Sequence, residues 1–214
     1  MRRVIILGAG SSIKSGLSLG LWEKIQNEEV WSINYAFKTM PFLPKRELWI
    51  DTRFFHGNMQ ELYNLFRKGV SCYAKTHQKY VNIPEIRTYE CTRSPQEFDK
   101  KIFIGRMGIS GIFALYLATM IEKVDEVYLL GYDWGSITND KQTHYYQNTL
   151  VTDSVGVGRP ELYKNPDGTV KGEVDDFSLF LRPDIKTKIY NVSPNSAINY
   201  FDKLTYEEFF KKLI

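Results

Sequence analysis

A glycine-rich turn near the N-terminus has the residue types that bind phosphate. The run Val4–Leu7 predicts a short strand, and the segment Gly-Ala-Gly-Ser-Ser follows it directly, before a stretch that predicts a helix. Two glycines let a backbone approach a phosphate closely, and free N–H groups and serine hydroxyls can donate hydrogen bonds to it. The candidate ligand residues of this turn are Gly8, Gly10, Ser11 and Ser12. The alternative is a tight turn in which a serine only caps the helix.

Polar residues follow three further predicted strands. Asn34 comes directly after Val30–Ile33, and Asp51 comes directly after Glu47–Ile50. Asp133 ends the Gly-Tyr-Asp step after the apolar run Val127–Leu130. Short polar side chains at such positions can reach the sugar or base of a ligand, and Asp133 could also bind a metal. Each is equally compatible with a turn or a helix cap, and no second carboxylate near Asp133 in the sequence completes a metal pair.

Two other segments contain candidate residues. Ser110 and Gly111 begin a helix predicted over Ile109–Lys123, so they are candidates either for ligand binding or for helix capping and close packing. His144 lies in a polar excursion and could act as a general base near neutral pH, although a lone loop histidine is more often structural or solvated. In the same excursion the pair Asp175-Asp176 predicts a solvated loop.

The elements that must position these residues alternate between strand and helix. This pattern predicts an α/β fold, a single Rossmann-like domain over residues 1–214 with a mostly parallel sheet and helices on both faces. Residues 135–182 are rich in turn formers and predict a long irregular excursion, with a lid-like insertion at 135–185. In such sheets ligands bind beyond the carboxyl ends of the strands, where the strand order reverses. The candidate residues are therefore expected at that edge.

Composition limits the classes of function. The chain has 214 residues, 43% of them hydrophobic, and a formal net charge of +3, which predicts a folded domain without the strongly basic surface of a nucleic-acid-binding protein. The longest apolar stretch, Ile109–Ile121, is too short to span a bilayer. Two cysteines without a CxxC pair favour a reducing, cytoplasmic setting. Ile13 replaces the third glycine of the dinucleotide fingerprint, which disfavours a nicotinamide cofactor.

Several of these segments, taken in order, resemble glycosyltransferase family 42, the CMP-sialic-acid-dependent bacterial sialyltransferases. More loosely, the chain is similar to the wider motility-accessory and pterin-diphosphokinase-like group. The resemblance covers most of the chain. The order and spacing of the matching segments are together more specific than any one segment. The matching pieces are residues 5–14, Ile33-Asn34, the strand end at Asp51, Ser110-Gly111, Val127–Asp133, His144-Tyr145 and residues 193–196.

The resemblance implies an enzyme that transfers a sugar from a CMP-type nucleotide sugar to a hydroxyl-bearing acceptor, with no metal or other cofactor required. Residues 8–12 would contact the nucleotide phosphate, Asn34 and Asp51 the ribose or base, and Ser110-Gly111 the nucleotide or donor sugar. His144 would remove the proton of the acceptor hydroxyl, which then displaces CMP with inversion at the anomeric carbon.

Two alternatives remain open at this point. One is an ATP- and Mg²⁺-dependent diphosphokinase-like enzyme, in which Asp51 or Asp133 would bind the metal. The other is a non-catalytic protein that binds and sequesters a nucleotide. Neither the donor sugar, the acceptor nor the oligomeric state follows from the sequence.

Overall fold

Ten strands are present in the described part of the chain, which comprises residues 1–106, 108–134 and 172–214 of the computed structural model. They are β1 (Arg3–Leu7), β2 (Val30–Ile33), β3 (Arg46–Trp49), β4 (Ser71–Lys75), β5 (Ile86–Tyr89), β6 (Cys91–Thr92), β7 (Ile102–Phe103), β8 (Glu126–Leu130), β9 (Lys188–Asn191) and β10 (Asp202–Lys203). Eight of these form one sheet in the order β10-β9-β8-β1-β2-β3-β4-β5, and every neighbouring pair is parallel. Strands β6 and β7 form a separate parallel pair.

Short helices connect the strands and cover the sheet. The α-helices are α1 (Ile13–Ser18), α2 (Leu21–Ile25), α3 (Thr52–Gly57), α4 (Met59–Arg67), α5 (Ser110–Tyr116) and α6 (Tyr206–Leu213). Helix α5 continues as a π-helical turn, Leu117–Ile121. Three further segments are 3₁₀-helical, namely Asn34–Thr39, Pro95–Glu97 and Gly172–Leu181.

The central strands are buried on both faces, as expected for a parallel sheet covered by helices. In β1, the alternate residues Val4 and Ile6 pack in the cluster that includes α5, while Ile5 and Leu7 pack in the cluster that includes α1, α2 and α6. The two sides of the sheet therefore have separate cores that share the same strands. Because α5 contributes buried side chains almost all round, it is the helix most deeply enclosed by the fold.

The predicted fold class is confirmed, and most elements lie where the apolar runs predicted them. Apolar residues at helical spacing over Asn58–Lys68 indicate a helix, and α4 forms there. Thr205 followed three residues later by Glu208 indicates a capping box, and it forms: the Thr205 hydroxyl accepts from the Glu208 N–H, and the Glu208 carboxylate accepts from the Thr205 N–H. The run Ile83–Ile86 indicates a strand that Pro84 interrupts; the strand observed there begins at Ile86, since proline has no N–H to donate to a strand ladder.

The prediction of an irregular stretch as far as residue 182 is wrong for its last part. Gly172–Leu181 is helical, and Phe177 and Phe180 are buried in the α5-side core. The expectation of a solvated Asp175-Asp176 pair is wrong for Asp176, which has no exposed surface. The spacing of three between Phe177 and Phe180 fits a 3₁₀-helix, and it is the sequence signal that the polar residues around it concealed. The predicted lid remains a prediction, because residues 135–171 lie outside the described chain, and His144 lies outside it with them.

None of the helices in the described ranges has both the length and the apolar character needed to cross a membrane.

Candidate functional site

The strand order reverses beside β1. From β1 the chain adds β2, β3, β4 and β5 on one side, and β8, β9 and β10 then extend the sheet on the other. The loops after β1 and β8 therefore meet at the switch point, which is the usual ligand site of such sheets. Backbone hydrogen bonds join them: the Gly8 N–H donates to the Leu130 carbonyl at 2.8 Å, and the Gly10 N–H to the Gly131 carbonyl at 2.9 Å.

The carboxylate of Asp133 lies inside the glycine-rich turn. Its Oδ2 accepts from the Ser12 N–H at 2.8 Å and from the Ser11 hydroxyl at 3.3 Å. Its Oδ1 accepts from the hydroxyls of Ser12, at 2.5 Å, and Ser193, at 2.9 Å. Asp133 is only 9% exposed. One side chain thus joins the loops that follow β1, β8 and β9, and both of its oxygens are fully engaged by four protein donors.

The glycines of the turn are required by this close packing. A Cβ atom on Gly10 would lie 2.5 Å from the Asp133 carboxyl carbon, and one on Gly8 would lie 2.9 Å from the Gly131 carbonyl oxygen. Gly131 has a φ of 70°, which glycine adopts at little cost. Sequence reasoning expected Gly8 and Gly10 to admit a phosphate, and in this structure they admit the loop after β8.

This arrangement changes what the turn can bind. The Ser12 N–H and the Ser11 and Ser12 hydroxyls, which were candidate donors to a phosphate, already donate to Asp133. A phosphate at the same place would have to displace a carboxylate of like charge from donors that satisfy it. The turn therefore acts as an internal anion site whose anion is Asp133.

Asn34 lies at the carboxyl end of β2 and is strained. Its φ is 53°, in the left-handed region that non-glycine residues seldom adopt. Its amide oxygen is buried and has no hydrogen-bond partner among the described residues. Strain and an unsatisfied buried acceptor are both costly, and such features concentrate where a fold binds a ligand. Asn34 is thus the predicted site residue whose geometry most clearly leaves an acceptor for a ligand.

Asp51, at the end of β3, serves as a helix cap. Its side chain accepts from the Arg53 N–H at 2.9 Å and is the N-cap of α3, while the Arg53 guanidinium donates to it at 2.6 Å. The hydrogen bonds from Arg53 lower the pKa of the Asp51 carboxyl below its ordinary value. The capping role that the sequence left open for Asp51 is therefore the one its contacts support.

Ser110 and Gly111 begin α5 on the other side of the sheet from α1. Ser110 is buried, and the Gly111 carbonyl accepts from the Tyr132 hydroxyl at 3.0 Å. A Cβ on Gly111 would lie 3.1 Å from the Tyr132 ring, so the glycine allows helix and loop to pack closely. Complete burial raises the pKa of Tyr132 far above its ordinary value, so this phenol stays protonated and holds the helix to the loop after β8.

The loop after β9 contributes residues to the Asp133 cluster; the sequence analysis matched residues 193–196 to the family but gave them no role. Ser193 donates to Asp133, as described above, and the Ser196 hydroxyl donates to the Tyr132 carbonyl at 2.6 Å. The Ala197 N–H donates to the Asp133 carbonyl at 3.2 Å. The Ser-Pro-Asn-Ser step directly after a predicted strand is the signal that could have identified this loop, because polar residues at a strand's carboxyl end belong to the ligand edge.

A second buried carboxylate fixes the loop before α5. Asp176 Oδ2 accepts from the Arg106 N–H at 2.8 Å, and the Arg106 guanidinium Nε lies 3.1 Å from Oδ1. Burial raises the pKa of Asp176, while the contacts with Arg106 oppose that rise. The described end of the polar excursion is thereby tied to the segment that leads into α5.

Other chemistry is limited in the described part of the chain. Residues 1–106, 108–134 and 172–214 contain no group of three or more His, Cys, Asp or Glu side chains that could hold a metal ion. Cys72 and Cys91 are free thiols, and burial raises the pKa of Cys91 to about 12, so it is not a reactive thiolate at neutral pH.

A cleft with a volume of about 410 Å³ opens beside the Asp133 cluster, between α1, the loop after β9 and the start of α6. Ser11, Ser12 and Asp133 form one wall of it. Asn34, Asp51 and Ser110 do not line this cleft. The structure therefore brings the glycine turn and Asp133 together, and leaves the other predicted residues at separate points of the same edge and on the α5 side.

Comparison with known proteins gives a similarity of fold. No protein-family model matches the sequence, and no curated protein matches it. The fold is similar to that of the MAf glycosyltransferase from Magnetospirillum magneticum AMB-1, with a TM-score of 0.53 and 17% sequence identity over 96% of this chain. The match covers 34% of that protein, so this chain spans about a third of its length. At this identity the likeness is one of fold, and it agrees with the Rossmann-like architecture described above.

Proposed function

We propose that this protein is a glycosyltransferase that uses a nucleotide sugar as donor, and that the donor is a CMP sugar of the sialic-acid type. The shared fold with a MAf glycosyltransferase supports the general class. The observation that carries the proposal is Asn34, whose buried amide oxygen lacks a partner in the described chain and whose backbone is strained at the carboxyl edge of the sheet. An amide oxygen accepts hydrogen bonds, so it suits a ribose hydroxyl or the amino group of cytosine.

In this proposal the phosphate of the donor lies outside the glycine turn. The turn's donors are engaged by Asp133, so Gly8 and Gly10 would contact the nucleoside through their backbone rather than cradle the phosphate. Asp51 would support the site indirectly, as the cap of α3. Ser110 and Gly111 would contact the nucleotide or donor sugar from the α5 side, as the family resemblance implies.

The chemical step follows from the class of reaction. His144, which lies outside the described residues, takes the proton of the acceptor hydroxyl as that oxygen attacks the anomeric carbon of the donor sugar. The new glycosidic bond forms as the bond to the nucleotide phosphate breaks, and CMP leaves with the bonding electrons. The anomeric configuration inverts. No metal ion is needed to balance this step.

A thermal-shift panel of CMP, UDP, GDP, ATP and NAD tests the nucleotide part of the proposal. A ligand that binds only the folded state raises the melting temperature with its concentration, by an amount that follows its saturation. We expect CMP to give the largest shift without added Mg²⁺. A shift with ATP only when Mg²⁺ is present would favour the diphosphokinase-like alternative, and equal shifts for all five would contradict cytidine recognition.

Turnover of a CMP sugar tests the catalytic part. We expect His144→Ala to abolish transfer and to leave the CMP-induced thermal shift unchanged, because the base acts on the acceptor and not on the nucleotide. Unchanged turnover in His144→Ala would remove this histidine from the mechanism. Tight CMP binding without turnover of any donor in the wild-type protein would support a sequestering protein instead.

A further inference from the structure

The cleft beside Asp133 is lined by many polar side chains, few of which are charged. Most of its polar lining consists of neutral hydroxyl and amide groups, supplied by the turn after β1, by α1, by the loop after β9 and by the N-cap of α6. These neutral lining residues are Ser11, Ser12, Ser15, Ser193, Asn195, Ser196 and Thr205. Its volume of about 410 Å³ is within the range of roughly 300–1,000 Å³ that small-molecule sites have.

The hydroxyls of Ser12 and Ser193 can only accept hydrogen bonds from a ligand. Their oxygens lie 2.8 Å apart, and both lie within hydrogen-bond distance of Asp133 Oδ1. Each hydroxyl has one proton, and each donates it to Asp133 Oδ1. Only oxygen lone pairs are then left to face the cleft. A ligand must therefore bring its own hydrogen-bond donors to this wall.

The charges around the cleft disfavour an anion. Among the described residues that line the cleft, Lys14 is positive, whereas Asp133 and Glu207 are both carboxylates, so these residues together have a net negative charge. A phosphate or carboxylate ligand would meet this charge together with the acceptor oxygens of Ser12 and Ser193. The Asp133 carboxylate already accepts from four protein donors, so it is not an open site for a cation. Neutral donors of hydrogen bonds fit best.

The cleft also has an apolar side. Leu19, which is 40% exposed, Pro194 and the Tyr206 ring line it next to the hydroxyl groups. Pyranose rings match such a surface, because they combine C–H faces that pack on apolar groups with hydroxyls that donate and accept at the ring edge.

We propose that this cleft binds a neutral polyhydroxylated ligand, a sugar ring, through its hydroxyl groups. On the function proposed above, which this step assumes, the ring belongs to the acceptor of the transfer. The cleft shares Ser11, Ser12 and Asp133 with the switch-point turn, so a sugar bound here lies next to the nucleotide edge of the sheet. The role as acceptor depends on the transferase proposal, whereas the binding of the sugar does not.

An NMR titration tests the binding directly. The ¹H–¹⁵N spectrum of the full chain would be followed with methyl β-D-galactopyranoside, methyl α-D-glucopyranoside and myo-inositol, and separately with inorganic phosphate and acetate. We expect at least one sugar to shift the amide signals of Ser15, Asn195 and Thr205 saturably, and the two anions to leave them unchanged. Saturable shifts with phosphate but with none of the polyols would overturn the proposal, and so would the absence of saturable shifts with every probe.

Two matched substitutions on α1 locate the site. Ser15 lines the cleft and is exposed, so Ser15→Trp would fill the space without touching Asp133. Ser18 is exposed on the same helix and does not line the cleft, so Ser18→Trp is the control. We expect at least a tenfold increase in the sugar's dissociation constant for Ser15→Trp and less than a twofold change for Ser18→Trp. Equal affinities for the two variants would rule out the cleft as the binding site.

The CMP-induced thermal shift of the same variants separates this inference from the proposed function. We expect Ser15→Trp to retain the shift. Sugar binding at the cleft without any nucleotide shift would contradict the transferase proposal and leave the sugar site in place. A CMP-induced thermal shift without sugar binding would contradict the sugar site and leave the transferase proposal in place.

Discussion

Polar groups at the amino ends and at the carboxyl ends of the parallel strands have different kinds of partner. At the amino end, Arg2 pairs with Glu29 at 2.8 Å and with Glu122 at 2.9 Å, and Arg46 pairs with the other oxygen of Glu122 at 2.8 Å. The Arg46 guanidinium also stacks 4.2 Å from the centroid of the Trp31 ring. These charges neutralise one another at the protein surface.

The carboxyl end contrasts with this network. Asp133 accepts from serine hydroxyls and a backbone N–H instead of a cation, and the buried Asn34 oxygen has no partner among the described residues. Both ends contain a strained non-glycine residue, since Lys123 has a φ of 48° and Asn34 a φ of 53°. Lys123 is exposed, so only the carboxyl end combines strain with an unsatisfied buried group. The amino end thus pairs its charges with one another, whereas the carboxyl end has a buried acceptor without a partner among the described residues, as the binding proposal requires.

The largest expected effect is the loss of the Asp133 carboxylate. Asp133→Ala would leave the Ser12 N–H and three hydroxyls without their buried acceptor, which we expect to lower the free energy of unfolding by about 3 kcal/mol or more. Denaturant unfolding measures this. The isosteric Asp133→Asn is the control for shape, and it should also destabilise, because its amide N–H groups would face donors. A loss below about 1 kcal/mol in Asp133→Ala would contradict the role of Asp133 as the link between three loops.

The next largest loss of stability is expected at the amino end of the sheet. Arg46→Ala removes the pair with Glu122 and the stacking on Trp31 and Tyr73, and we expect a loss of about 2 kcal/mol in the free energy of unfolding. Arg46→Met keeps the apolar stem and should lose about half as much. The CMP-induced thermal shift should be the same in both variants as in the wild type. A weaker shift would mean that the two ends are coupled.

We expect the stability of the protein to depend on pH because of Glu47, which lies in β3 between the two ends of the sheet. Complete burial raises the pKa of the Glu47 carboxyl well above its ordinary value of 4.5, and the Ser32 hydroxyl bonded to it opposes the rise only in part. In the window above pH 4.5 the folded chain therefore holds a proton that the unfolded chain releases. Stability falls as pH rises through this window, by about 1.4 kcal/mol per pH unit while Glu47 stays protonated in the folded state.

Glu47→Gln tests this dependence, because glutamine keeps the shape and cannot ionise. We expect the variant to lose less stability than the wild type as the pH is raised above 4.5, by at most about 1.4 kcal/mol per pH unit, measured by urea unfolding at each pH. Parallel pH profiles of the two proteins would show that Glu47 is not the titrating group.

The smallest effect on stability, and the sharpest on binding, is expected from paired glycine substitutions. Asn34→Gly and Lys123→Gly each place glycine at a positive φ, so each should change the free energy of unfolding by no more than about 1 kcal/mol. Only Asn34→Gly removes a candidate ligand group, and we expect it to weaken CMP binding at least tenfold. Equal binding by the two variants, measured by calorimetry, would contradict the role of Asn34.

The sequence by itself determined the local elements of this protein. Hydrophobic pattern was enough to identify β1, β2, β3, β8 and the buried helix α5, because such elements form between residues that are close in the sequence. The alternation of strand and helix likewise determined the fold class. The Thr205 capping box was also readable, because both of its hydrogen bonds join residues three apart.

Only the tertiary structure decided what the candidate residues do. Asp133 and Ser12 are 121 residues apart, and Ser193 is a further 60 from Asp133, so their cluster exists only because the strand order places β1 between β8 and β2 and places β9 beside β8. The glycine turn has the composition of a phosphate site, and a distant carboxylate enters it instead. The local sequence pattern shows which hydrogen-bonding groups a segment contains. Which partner satisfies them depends on strand order, a property of the whole chain.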